Sequence, residues 1–211
     1  MTSPVEPMPG VAEHALGIGR ARTARAGLLT GRGGVRERSE RSLIAGALAG
    51  SERDLEGLFV RHWPRAYRAA YLIVGDHAAA EDIAQEALLA AVRRLDWFDR
   101  RRRFGPWLSA IVANRAIDWT RARTARRESG LDPIEMDAAA PEPVAVGYSP
   151  EVLAALRDLA LEQRVVVVLR YVLEYTPGEI ARALELPRGT VNSRLRRGLD
   201  ALEKRLGEID R

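Results

Sequence analysis

Thr176-Pro177-Gly178-Glu179-Ile180-Ala181 and, after a short gap, Pro187-Arg188-Gly189-Thr190-Val191-Asn192-Ser193-Arg194 decide how this chain is read. The first stretch is a complete helix start. Thr176 suits the N-cap, Pro177 the first helical position, and Glu179 the place from which a carboxylate closes a capping box. That helix runs only to about Leu184, because Glu185-Leu186 and Pro187 interrupt it and restart the chain. Two short helices meeting steeply across so short a turn form a helix-turn-helix, whose second helix is built to enter a DNA groove.

On the second helix, Val191, Leu195, Leu199, Leu202 and Leu206 fall on one stripe at helical spacing, which must face a core. The opposite face carries Gly189, Thr190, Ser193, Arg196 and Arg197, with Asn192 and Arg194 on the flanks and Arg188 at the start. Arginine pairs bidentately with guanine and asparagine with adenine, while hydroxyls and backbone N–H groups hold phosphates. The plainer reading of the same residues is a solvated basic face on a helical hairpin; cap, turn and outward polar set agree better with the DNA reading.

Composition limits what surrounds this motif. The chain has 211 residues, no cysteine, and 33 Lys plus Arg against 29 Asp plus Glu. Disulfides, thiolate zinc sites and thiol redox sensing are therefore excluded, and a reducing cytoplasmic setting fits. The net charge of +4 is mild but unevenly spread: residues 51–127 carry 15 basic and 10 acidic groups, whereas 128–151 carry 6 acidic and no basic ones. Basic folded parts separated by an acidic connector suggest a polyanionic partner. No apolar run reaches the roughly 18 residues of a membrane span, and the N-terminus lacks a signal-peptide block.

The pattern divides the chain into four parts: a basic, aperiodic tail over 1–41, a helical domain over 42–127, an acidic proline-rich linker over 128–150, and a second helical domain over 151–211. Val165 to Val168 is β-branched enough to pass for a strand, but it has no partner strand and reads as buried helix. The expected class is all-α, with two small helical domains joined by a flexible linker.

Within the first domain, Asp76 caps a helix expected to reach Leu95, with Ile83, Ala87, Leu88, Val92 and Leu95 inward. Glu81, Asp82, Gln85, Glu86 and Leu89 lie opposite. A leucine among acids is either a protein-docking surface or one stray apolar residue on a solvated face. Next comes Trp97-Phe98-Asp99-Arg100-Arg101-Arg102-Arg103-Phe104-Gly105-Pro106-Trp107, followed by a helix with Asn114, Arg115, Asp118, Trp119 and Arg121. Rings interleaved with arginines suit single-stranded nucleic acid, since bases stack on rings and guanidinium groups hold phosphates. Trp107 and Leu108 are expected in the core.

Gly75-Asp76, Ala80-Glu81-Asp82-Ile83-Ala84-Gln85-Glu86, Phe104 followed by Trp107-Leu108, Ile111, and Asn114 with Asp118 and Arg121 resemble region 2 of the extracytoplasmic-function (ECF) sigma factors of bacterial RNA polymerase. Gln163-Arg164, Leu169-Arg170-Tyr171, Glu179-Ile180-Ala181 and Pro187 to Leu195 resemble region 4 of the same family. The resemblance covers most of residues 42–206. It implies a factor that binds core RNA polymerase, at the β′ clamp helices and β flap, and reads duplex and single-stranded promoter DNA, with no catalysis and no cofactor. Asp82, Gln85, Glu86 and Leu89 then match the clamp-docking helix. Trp97, Phe98, Arg100, Arg101, Arg102, Arg103, Asn114, Arg115, Trp119 and Arg121 match the part that captures and melts the minus-ten element. Arg188, Thr190, Asn192, Ser193, Arg194, Arg196 and Arg197 match the minus-thirty-five recognition helix. An anti-sigma factor is a further partner implied by the family.

The chain departs from the family pattern at Asn192, where a basic residue is usual, and in the arginines before Phe104, where small or acidic residues are frequent. A second reading takes residues 165–206 as the DNA-binding part of a response-regulator-type activator, but that requires an α/β receiver, and 42–127 shows no strand pattern. His14, His62 and His77 are isolated, and no nucleophile or metal-ligand spacing points to an enzyme.

Overall fold

The computed structural model describes residues 38–129 and 147–209. The tail expected over 1–41 and the linker expected over 128–150 fall, except at their edges, outside the described residues.

Polar side chains cap the starts of several helices. Ser39 Oγ accepts from Ser42 N–H at 3.2 Å and opens α1, Glu40–Leu48. The helical part thus begins two residues before the expected Ser42, because a serine supplies the cap. Ser51 caps α2, Glu52–Val74, by accepting from Asp54 N–H at 3.3 Å. That helix ends at Gly75, whose φ of 72° is the left-handed conformation that glycine adopts without penalty. Asp76 then accepts from Ala79 N–H at 3.0 Å and starts α3, His77–Arg93. α3 stops short of the expected Leu95; a 3₁₀ turn, Leu95–Trp97, follows, and Leu95 is still buried there. α4 is Phe104–Glu128.

Three of these helices bury alanine-rich faces against one another: Ala66, Ala69 and Ala70 of α2, Ala80, Ala84, Ala87 and Ala91 of α3, and Ala113 and Ala116 of α4. Small side chains let the helix axes approach closely, and Leu58, Ile73, Leu88, Leu108 and Val112 fill the spaces between them.

Ser149 and Pro150 open α5, Pro150–Asp158. α6 is Leu161–Val167, continued by a π-helical turn, Val168–Val172. Val165 to Val168 are at most 1% exposed, so the β-branched run is a buried helix, as its flanking residues predict. The π turn inserts an extra residue, and the chain leaves it through Glu174 at φ 60°. Helix α7, Pro177–Ala183, and helix α8, Arg188–Ile209, form the expected helix-turn-helix. α8 crosses α6 so closely that a Cβ on Gly198 would stand 2.9 Å from Val167 Cγ2.

The two helical units are not held apart. α2 and α4 pack against α5, α6, the π turn and α7. One buried apolar cluster runs from Leu43 to Leu202 through both units. The Arg164 guanidinium donates to the Ile73 carbonyl across this boundary at 2.6 Å and, on its own side, to Arg157 and Leu159 carbonyls at 2.6 and 3.1 Å. Those three acceptors are carbonyls left unpaired by helix ends, which is why a partly buried cation is tolerated there. Side-chain spacing along a helix says which face is apolar but not which other face covers it, so this closure was not readable from the sequence.

Candidate polymerase and nucleic-acid interface

The acidic face of α3 is built as its spacing requires. Ile83, Ala87 and Leu88 point inward, so Glu81, Asp82, Gln85 and Glu86 are exposed. Leu89 is 39% exposed, one of three large apolar side chains so exposed among the described residues. Glu86 ion-pairs with Arg115 of α4, so a residue expected to face the polymerase and one expected to face the promoter meet.

The segment between the 3₁₀ turn and α4 separates two aromatic residues that sequence alone grouped together. Trp97 is 88% exposed. Phe98, also expected to stack on bases, is instead only 6% exposed: its ring lies 5.4 Å from Phe104, edge-on, and 4.9 Å from Trp107. The chain needs an apolar anchor to hold this turn against the core, and Phe98 supplies it, leaving Trp97 as the available platform. Phe104 in turn packs on His62, with centroids 4.9 Å apart. Arg100, Arg101, Arg102 and Arg103 are all exposed; Arg102 lies 3.6 Å from Asp99, and Arg103 lies 3.6 Å from Glu179. Leu108 is buried and Trp107 partly so, as expected.

Along α4, Asn114 and Arg121 are exposed, while Arg115 and Trp119 are partly buried. The Arg123 guanidinium lies over the Trp119 ring at 5.0 Å and also bonds Asp76 at 3.0 Å. Trp119 therefore has one face already occupied by a cation.

In the helix-turn-helix, the capping box is complete: Thr176 Oγ1 accepts from Glu179 N–H at 3.2 Å, and the Glu179 carboxylate accepts from Thr176 N–H at 2.9 Å. The backbone N–H of Thr176 is the first cause of the lowered Glu179 pKa. Ile180, fully buried, anchors α7, and Val191, Leu195 and Leu202 anchor α8. Arg188, Asn192, Arg196 and Arg197 are exposed. Thr190, Ser193 and Arg194 are partly buried; the Ser193 hydroxyl donates to the Thr190 carbonyl at 3.0 Å, and Arg197 Nε donates to the Ser193 carbonyl at 3.3 Å.

Between the units lies a groove of about 410 Å³. Asn114, Asp118 and Arg121 of α4 line one side; Glu162, Leu186 and Arg194 line the other. Arg121 and Glu162 approach to 3.8 Å. Residues assigned to two different promoter elements thus face one another. Four residues that organise these surfaces, His62, Ser109, Arg164 and Tyr175, were not singled out as site residues by sequence. Arg164 enters only through the region 4 resemblance, and the other three carry no motif and are marked by burial alone.

Residues 58–126 match the family model of Sigma-70 region 2, and residues 149–202 match that of Sigma-70, region 4. The chain is 34% identical over 160 residues to the ECF RNA polymerase sigma factor SigW of Bacillus subtilis (strain 168), covering 69% of this chain and 84% of SigW. It is 32% identical over 180 residues to the ECF RNA polymerase sigma factor SigM of Mycobacterium tuberculosis (strain ATCC 25618 / H37Rv), covering 85% of this chain and 91% of SigM. Its fold is similar to that of CnrH in complex with the cytosolic domain of CnrY, with a TM-score of 0.61 and 28% identity over 80% of this chain and 97% of that one. It is also similar to the fold of the sigma factor RpoE in complex with the anti-sigma factor NepR from Bartonella quintana, with a TM-score of 0.63 and 24% identity over 75% and 99%. The stretch that an activator would need as a receiver is the one matched by region 2, so the response-regulator reading lapses. Two matched regions in family order, each carrying its exposed face on the helices just described, place this chain in the ECF family of RNA polymerase sigma factors.

Proposed function

We propose the following division of labour within this sigma factor, which binds core RNA polymerase and directs promoter-specific initiation. Asp82, Gln85, Glu86 and Leu89 dock on the β′ clamp helices, the apolar Leu89 supplying desolvated contact and the acids setting orientation. Trp97 and Arg100 to Arg103, with Asn114, Arg115, Trp119 and Arg121, hold the opened minus-ten strand. Arg188, Asn192, Arg196 and Arg197 read and grip the minus-thirty-five duplex, with Thr190, Ser193 and Arg194 contributing at its edge. The second unit also meets the β flap. The factor does no chemistry of its own, and it acts in the cytoplasm, where polymerase and promoters are. An anti-sigma factor is its regulator, a reading supported by the two bound relatives of similar fold.

The observation that carries this reading is the pairing, in one chain and in order, of an acid-rimmed leucine on α3 with a basic, polar recognition face on α8. Mapping transcript starts on genomic fragments with core polymerase, with and without the protein, tests it. Protein-dependent starts that share two spaced motifs are expected. Duplex binding without any core-dependent start would overturn it.

A further inference from the structure

Asp76 uses its two carboxylate oxygens on two helices. Oδ1 accepts from Ala79 N–H at 3.0 Å and starts α3, while Oδ2 accepts from Arg123 Nη1 of α4 at 3.0 Å, 47 residues along the chain. One turn before Arg123 on the same helix stands Trp119, and the guanidinium lies over its indole, 5.0 Å from the ring centroid. Carboxylate, guanidinium and ring thus form one line of contacts from the start of α3 to the surface of α4.

Each link restrains the next. A carboxylate engaged in a helix cap has little freedom to swing, so it fixes the guanidinium it binds. A planar guanidinium bonds at its edge and stacks with its face at the same time, whereas an ammonium acts as a point charge. Trp119 also packs against the buried core, so the cation adds a second restraint to a ring already partly enclosed. The Arg123 side chain is 26% exposed, against 65% for Arg121 two residues earlier. Its engagement suits a side chain that arranges a neighbour better than one that reaches out to grip phosphate. Restraint matters at binding, because a side chain immobilised only when the ligand arrives charges the complex with its ordering, and a ring already held does not.

We infer that Arg123, itself held by Asp76, is a positioning residue for strand capture: it fixes the Trp119 ring in the free chain, so that the opened minus-ten strand meets a platform already in place. The inference rests on the minus-ten role proposed above for Trp119. It gives Asp76 a second task, since the carboxylate that begins the helix proposed to dock on polymerase also orients a ring on the helix proposed to hold DNA.

Asp76→Asn separates the two tasks, because asparagine caps a helix as well as aspartate does but offers Arg123 no charge. The full chain has four tryptophans, and the indole N–H resonance of Trp119 is assigned by its loss in Trp119→Leu. That resonance should move in both Arg123→Ala and Asp76→Asn. With core polymerase and a fork-junction DNA cut from a promoter mapped by transcript starts, both variants should bind core as wild type does. They should bind the DNA roughly 2- to 10-fold more weakly, the cost of ordering one side chain. In the Trp119→Leu background, which keeps an apolar side chain at the site, Arg123→Ala should weaken DNA binding no further. Melting by circular dichroism confirms that each variant is folded. An unmoved Trp119 resonance overturns the inference. So does an equal loss from Arg123→Ala in both backgrounds with a shallower salt dependence, which would make Arg123 a phosphate contact. Wild-type DNA binding by Trp119→Leu overturns instead the minus-ten role of Trp119, while the resonance still reports whether Arg123 holds the ring.

Discussion

The Arg115 guanidinium on α4 donates a charge-assisted hydrogen bond to the Glu86 carboxylate on α3, tying the helix proposed to face the promoter to the helix proposed to face the polymerase. With side chains 36% and 62% exposed, the pair contributes no more than about 1 kcal/mol to folding. Arg115→Ala should therefore leave the melting temperature within about 4 °C of wild type. It should also leave core binding intact and weaken promoter-complex formation, seen in a gel-shift titration with holoenzyme. Loss of core binding instead would move Arg115 to the polymerase face.

Leu89 is the exposed apolar residue on the acidic face of α3. Leu89→Asp is expected to impair binding to core polymerase, measured by native mass spectrometry, with an unchanged melting curve because the side chain is already 39% exposed. Normal holoenzyme assembly by that variant would remove α3 from the docking surface.

Trp97 and Phe98 are adjacent but should respond oppositely. Phe98→Ala empties a position that is 6% exposed and should cost about 3–5 kcal/mol of stability. Trp97→Ala touches nothing in the core, so denaturant unfolding should be unchanged while affinity for the opened strand falls by about 1–3 kcal/mol, read from permanganate reactivity of the melted promoter. Wild-type melting by Trp97→Ala would exclude stacking there.

Arg197 is held along α8 by its bond to the Ser193 carbonyl, with the rest of the side chain exposed. If it reads a base, Arg197→Ala weakens minus-thirty-five binding by about 1–3 kcal/mol and relaxes preference at one position. A uniform loss across all sequences, with a shallower salt dependence, would make it a phosphate contact.

His62 carries a pH dependence. Its imidazole is 6% exposed, packs on Phe104, and has Nε2 3.2 Å from Glu40 Oε1. Burial, the largest influence, sets its pKa below the ordinary 6.5, against the opposing effect of Glu40. Below that value the unfolded chain takes up the proton more readily than the folded one. The stability contribution is thus complete above about pH 6.5 and is lost as the pH falls through the lower folded value. Melting temperatures measured from about pH 7 to pH 5 should fall more steeply for wild type than for His62→Gln. Parallel slopes would remove His62 as the cause.

Much of this molecule was legible in its residues. The helix starts at Asp76 and Thr176, the inward Val191, Leu195 and Leu202, though not Leu199, and the buried helix at Val165 to Val168 follow from capping chemistry and 3.6-residue spacing, which are local properties. The same reasoning placed Leu89 among exposed acids. Phe98 escaped it, because a three-residue 3₁₀ turn has no periodicity from which to tell an inward ring from an outward one, and only Phe104 and Trp107 decide the matter.

By itself the sequence determined an all-α chain of two helical units with a helix-turn-helix in the second. Capping and amphipathic spacing act between residues three or four positions apart, and the chain spells those out. Only the tertiary structure decided that Ser109 meets Tyr175, 66 residues away, that Arg164 bonds the Ile73 carbonyl, 91 residues away, and that one apolar cluster serves both units. Burial of an apolar face is non-directional, so a helix surface states that it must be covered without naming what covers it.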